Sequence, residues 1–139
     1  MNVDLALVCD YALIDQYGKL SVMGIFEHIW VQHFPVVHPR LHLVMRLKGR
    51  RTEIGEHKVG IRLVDEDDKE IINGDGTVTF SEPPAGVLDI EAGTVLVFDV
   101  PFEREGPYRF EIAVDGIDLA AVGLTVGVAP DPPPSEAIG

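Results

Sequence analysis

The sequence predicts an all-β domain: an antiparallel two-sheet sandwich of about eight strands, immunoglobulin-like or jelly-roll-like. Three observations carry this. Apolar residues recur at every second position in segment after segment. Breaks rich in glycine, proline and aspartate separate those segments at short, regular intervals. No stretch has the period and caps of a helix; only Gly86–Gly93 has room to hide a helical turn.

Residues 3–14 place Val3, Leu5, Leu7, Cys9, Tyr11 and Leu13 on one face and Asp4 and Asp10 on the other. In Asp15-Gln16-Tyr17-Gly18 the glycine supplies the positive φ of a hairpin loop, so the first two strands pair antiparallel. The second segment, Leu20–Val31, is apolar on both faces. One face carries Leu20, Val22, Phe26 and Trp30; the other carries Met23, Ile25, Ile29 and Val31. Either Gly24 is a bulge that shifts the phase, or another element or subunit covers the outer face. Pro35 and Pro39 then break the ladder. From Leu41 the alternation returns, with Leu41, Leu43, Met45 and Leu47 inward and His42, Val44, Arg46 and Lys48 outward. Residues 19–48 hold the only tryptophan and two apolar runs, Leu20–Val31 and Leu41–Leu47, and the core is organised around them.

The later strands follow the same rule. His57, Val59, Ile61 and Leu63 oppose Lys58, Gly60 and Arg62. A strand opens at Glu70–Ile72, is broken at Gly74 and Gly76, and resumes at Thr77–Phe80. Thr94–Phe102 turns Leu96, Phe98, Val100 and Phe102 to one side, and Tyr108, Phe110, Ile112 and Val114 alternate strictly. Asp115-Gly116 is a two-residue hairpin signal leading into a last strand, Ile117–Val128. Residues 1–128 are thus one sandwich domain. Residues 129–139, APDPPPSEAIG, are expected to be an extended, poorly ordered proline-rich tail.

A net charge of −12 opposes binding to nucleic acid or anionic membrane, both of which need a basic footprint. The local exception, Arg46, Lys48, Arg50 and Arg51, is explained by a solvated strand end. The one cysteine, Cys9, forms no internal disulfide and reads as a small core residue. The N-terminus lacks the basic region of a signal peptide, and no apolar run approaches the roughly 20 residues of a membrane span, so the cytoplasm is the expected compartment.

The segments ALVCDYALIDQYGKLSVMGIFEHIW, FPVVHPRLHLVMRL and GEHKVGIRLVDEDDKEI resemble a bacterial family of small single-domain proteins of unknown function, over roughly residues 5 to 127. The resemblance implies a bacterial single-domain β protein and brings no activity with it. The third segment also resembles immunoglobulin-like hairpins at the level of fold.

Candidate chemistry is sparse. His28, His33, His38 and His42 are close in sequence, and imidazoles gathered by a loop can bind a divalent transition metal such as zinc. Their spacing matches no ligand motif, and packing on Trp30 and Phe34 is the plainer account. The run Asp65–Asp68 lacks the glycine and distal glutamate of an EF-hand and reads as a solvated hairpin tip. Trp30 and Tyr17 are too few for a sugar platform. No serine sits in a nucleophile elbow, and no catalytic residue is assigned.

The sequence therefore favours a non-catalytic binding or assembly module that works through protein contacts and needs no cofactor. The alternative is a metal-dependent enzyme or metal-binding protein centred on His28, His33 and His38. The doubly apolar second strand predicts a homodimer whose interface includes Ile25, Ile29 and Val31.

Overall fold

The computed structural model describes residues 1–130. It contains nine strands and a single 3₁₀ turn, Arg51–Glu53. In chain order the strands are β1 (Asn2–Ile14), β2 (Leu20–Ile25), β3 (His28–Val31), β4 (Val36–Arg50), β5 (Gly55–Asp65), β6 (Glu70–Phe80), β7 (Asp89–Phe102), β8 (Gly106–Val114) and β9 (Ile117–Val128). They form a two-sheet sandwich, β2-β1-β4-β7 against β3-β9-β8-β5-β6. All pairings are antiparallel except that of β3 with β9, which is parallel. Among the described residues no helix is long and apolar enough to cross a membrane. The proline-rich tail lies, apart from Ala129 and Pro130, outside the described residues.

The core lies between the sheets. Leu41, Leu43, Met45 and Leu47 of β4 meet Val59, Ile61 and Leu63 of β5 and Phe110 and Ile112 of β8, all buried as the alternation requires. Truncating a fully buried side chain such as Phe110 to alanine removes about 3–5 kcal/mol. At the β6–β7 flank the sheets come close enough that Phe98 and Leu96 of β7 lie where side chains at Gly74 and Gly76 would stand. These glycines serve close approach, and β6 runs through them unbroken.

Three segments depart from simple alternation. In β1 the register shifts between Val3 and Leu5. Ala6 and Val8 then face the core, while Leu7 and Cys9 turn to the outer face beside Val44, so the inward set expected from Val3 to Leu13 changes parity at the bulge. In β4 a shift between His38 and Leu41 absorbs Pro39. Arg40 takes φ +53°, and its amide donates to the Asp99 carboxylate at 2.9 Å, so the strand continues through the proline. The third departure is the segment Leu20–Val31. It is two strands, not one, and they belong to different sheets.

The outer apolar face of the four-stranded sheet is covered from within the chain. The far half of β1 folds back with β2 as a hairpin flap. Ala12, Leu20 and Val22 on its underside pack with Leu7, Cys9, Val44 and Val95. Ile14 reaches the backbone of β7, with its Cδ1 3.5 Å from where a Cβ on Gly93 would stand. Gly24, at φ +69°, lets the returning strand pass Asp10; a Cβ there would collide with the carboxylate. Burial raises the pKa of the Cys9 thiol, as expected of a packing residue.

Candidate functional site

The site is built where the chain crosses between sheets. After β2, Phe26 stays tied to β1 by its amide, which donates to the Val8 carbonyl at 3.2 Å. Two residues later the chain has joined β9. The amides of Thr125 and Ala129 donate to the carbonyls of Glu27 and Val31, each at 2.9 Å. Residues 27, 29 and 31 therefore turn their backbone polar groups toward β9. The amides and carbonyls of His28 and Trp30 face away from it, along the free edge of the sheet.

That edge borders a groove of about 320 Å³, lined among others by Asp10, Phe26, His28, Trp30, Val37 and His38. Its principal wall is Trp30, which is 64 % exposed. The indole covers Gly127 of β9, where a Cβ would stand 2.8 Å from Cζ3, and the His28 ring stacks near-parallel at 6.0 Å. On the opposite side His38 tilts against Phe26 at 5.7 Å. Burial lowers the pKa of His38, while nearby Asp10 pulls the other way, so His38 is neutral at ordinary pH. Asp10 has no ion-pair partner among the described residues. The groove thus offers aromatic faces, an unpaired strand edge and one carboxylate. Among the described residues its lining brings no nucleophile–base pair together.

Of the three histidines of the metal reading, His28 and His38 line this groove and His33 is an exposed residue outside its lining. Among the described residues no group of three His, Cys, Asp or Glu side chains converges on a metal position. The three interface residues also separate. Ile25 is 59 % exposed, Ile29 is 7 % exposed within the core, and Val31 is partly buried against it.

The charged clusters are structural. Asp65 is buried and accepts the amides of Asp67 and Lys69 at 2.8 and 2.9 Å; the Lys69 bond does most to lower its pKa. Arg104 bridges Asp65 and Asp67, and Arg109 pairs with Asp68. Of the basic run, Arg46 and Lys48 are held by Asp4, and Arg51 by Glu82 and the Val87 carbonyl. What sequence reasoning missed is the groove itself. Asp10 and Val37 enter it only because the chain changes sheets at Phe26–Glu27. The signal present was the doubly apolar run with Gly24 inside it.

No curated protein sequence matches the chain. A family model does, over residues 4–127, nearly the whole described domain. The chain belongs to that family, described as a family of unknown function, DUF6941.

Proposed function

We propose that the protein is a non-catalytic recognition module of immunoglobulin-like architecture, which holds a partner protein along the Trp30 groove in the bacterial cytoplasm. The strand order supports the immunoglobulin-like reading. β4 beside β7, and β5–β8–β9 opposite, follow the B–E and C–F–G neighbours of that fold. The hydroxyl of Tyr108, near the start of β8, donates to the Arg104 carbonyl at 2.5 Å, as in a tyrosine corner. Such folds serve many activities, so the function rests on the site.

The single observation that carries the reading is the free edge of β3, with Trp30 standing exposed beside it. An extended segment can add a strand to that edge and rest an apolar side chain on the indole. A cationic residue at its end would meet Asp10. The acidic composition and the unbridged cysteine accord with a bacterial cytoplasmic setting.

The test is affinity capture from a bacterial host carrying the protein, with the wild-type chain and with Trp30→Ala as paired baits. A protein retained by the wild type and lost with Trp30→Ala supports the reading. Stoichiometric zinc, nickel or iron in the purified protein, lost on His28→Ala or His38→Ala, would replace it with the metal-dependent alternative.

A further inference from the structure

The chain leaves the described fold beside Trp30. β9 runs parallel to β3, and the ladder continues past Val128: the Ala129 amide donates to the Val31 carbonyl at 2.9 Å. Gly127 and Ala129 are two positions apart, so both turn to one face of the sheet. That is the face on which the indole of Trp30 rests against Gly127 and remains 64 % exposed. Pro130, itself exposed, is the last described residue.

The sequence that follows is suited to an indole. Residues 130–134 read Pro-Asp-Pro-Pro-Pro. Prolines fix φ and favour the polyproline II helix, so such a segment has little conformational entropy left to lose on docking. Aromatic-lined grooves are the surfaces that take it. Reach is sufficient. At about 3.1 Å per residue, Pro132–Pro134 lie within roughly 9–16 Å of contour from Ala129, and neighbouring strands such as β3 and β9 are only about 4.8 Å apart. Covalent attachment supplies an effective concentration in the millimolar range, so weak contacts suffice.

We infer that the tail is a built-in ligand of the Trp30 groove: Pro132–Pro134 fold back within the same chain and pack on the indole. Charge accords with this occupant. Docking within one chain brings no second copy of the −12 net charge to the surface. The carboxylates of Asp131 and Glu136 are repelled by Asp10, which stands across the groove beside His38, and this holds the tail to the Trp30 end. The inference deepens the groove reading and rests on it. A partner segment must displace the tail to reach the indole, so the tail sets a threshold for recognition.

Trp30 is the only tryptophan, so its fluorescence in the full chain tests the contact. Replacing the three prolines together, Pro132→Ser, Pro133→Ser and Pro134→Ser, should move the emission maximum to longer wavelength and raise acrylamide quenching roughly twofold, because the indole loses its cover. The wild-type values should not change on dilution, as docking within one chain requires. A synthetic peptide of residues 130–139 at millimolar concentration should return the triple variant to the wild-type maximum. Identical emission and quenching in the two proteins, or no response to the peptide, would overturn the inference. So would wild-type shielding that disappears on dilution, which would give the groove to the tail of another copy. Capture of a partner is a separate readout. A partner captured through Trp30 by a wild type whose indole is unshielded sinks this inference alone. A shielded indole with no partner captured sinks the recognition of a partner and leaves the tail in place.

Discussion

His57 donates through Nδ1 to the Asp115 carboxylate at 2.6 Å, across the hairpin that joins β8 to β9. Its other nitrogen, Nε2, is 2.6 Å from the Glu53 carbonyl. Both partners are acceptors, so both ring nitrogens must carry protons, and the ring is an imidazolium. The Asp115 hydrogen bond is the main cause of a raised His57 pKa, and the same bond lowers that of Asp115.

Stability should follow this pair. The His57 contribution is complete below its ordinary value of 6.5 and is lost as pH rises through the higher folded value. The Asp115 contribution is present above 3.8 and is lost as pH falls through the lower folded value. The melting temperature should therefore decline as pH rises above 6.5, and His57→Gln should flatten that limb. His38, whose folded pKa is depressed, acts on the other side. It costs stability as pH falls below 6.5, so His38→Gln should improve acid tolerance. Thermal scans of the three proteins across pH measure both slopes.

Ile25 and Ile29 sit four residues apart and should answer oppositely to the same substitution. Ile29→Lys places an unpaired charge in the core and should cost more than about 3 kcal/mol. Ile25→Lys, on the exposed side of the flap, should change monomer stability by less than about 0.5 kcal/mol. Urea titrations read the difference. Equal losses would mean that the two residues share one environment.

Gly127 is the seat on which the indole rests. Gly127→Val should push Trp30 outward, because the added Cβ would meet Cζ3 at 2.8 Å. Trp30 is the only tryptophan, so its emission reports the displacement directly. The emission maximum should move to longer wavelength, and the far-ultraviolet spectrum should keep its β character. An unshifted maximum would mean that the indole does not rest on Gly127.

Much of the sandwich was legible from alternation. Leu41–Leu47 and Tyr108–Val114 face the core as their period demands, and Asp115-Gly116 forms the predicted hairpin with φ of +52° and +81°. Alternation fails where the backbone changes partner. Leu20–Val31 is apolar on both sides because its first half covers the outside of one sheet and its second half completes the other. A rule of period two records that both faces are apolar and not which surface each one meets. Cys9 was legible as buried, but the bulge after Val3 decides which side of the sheet buries it. The groove depends on Val36–His38 returning beside Trp30, a proximity that no local pattern encodes.

The parallel pairing of β3 with β9 bears on how the domain is made. A ribosome produces His28–Val31 early, but residues 125–128, with which they pair, come nearly a hundred positions later. Until then Ile29 lacks its place in the core and Trp30 has no Gly127 to rest on. The hairpin flap closes locally and can form as soon as it emerges. The five-stranded sheet must wait for the end of the domain. A chain released before residue 125 would therefore carry the apolar HIWV strand uncovered, and such a product is one for proteases and chaperones to recognise.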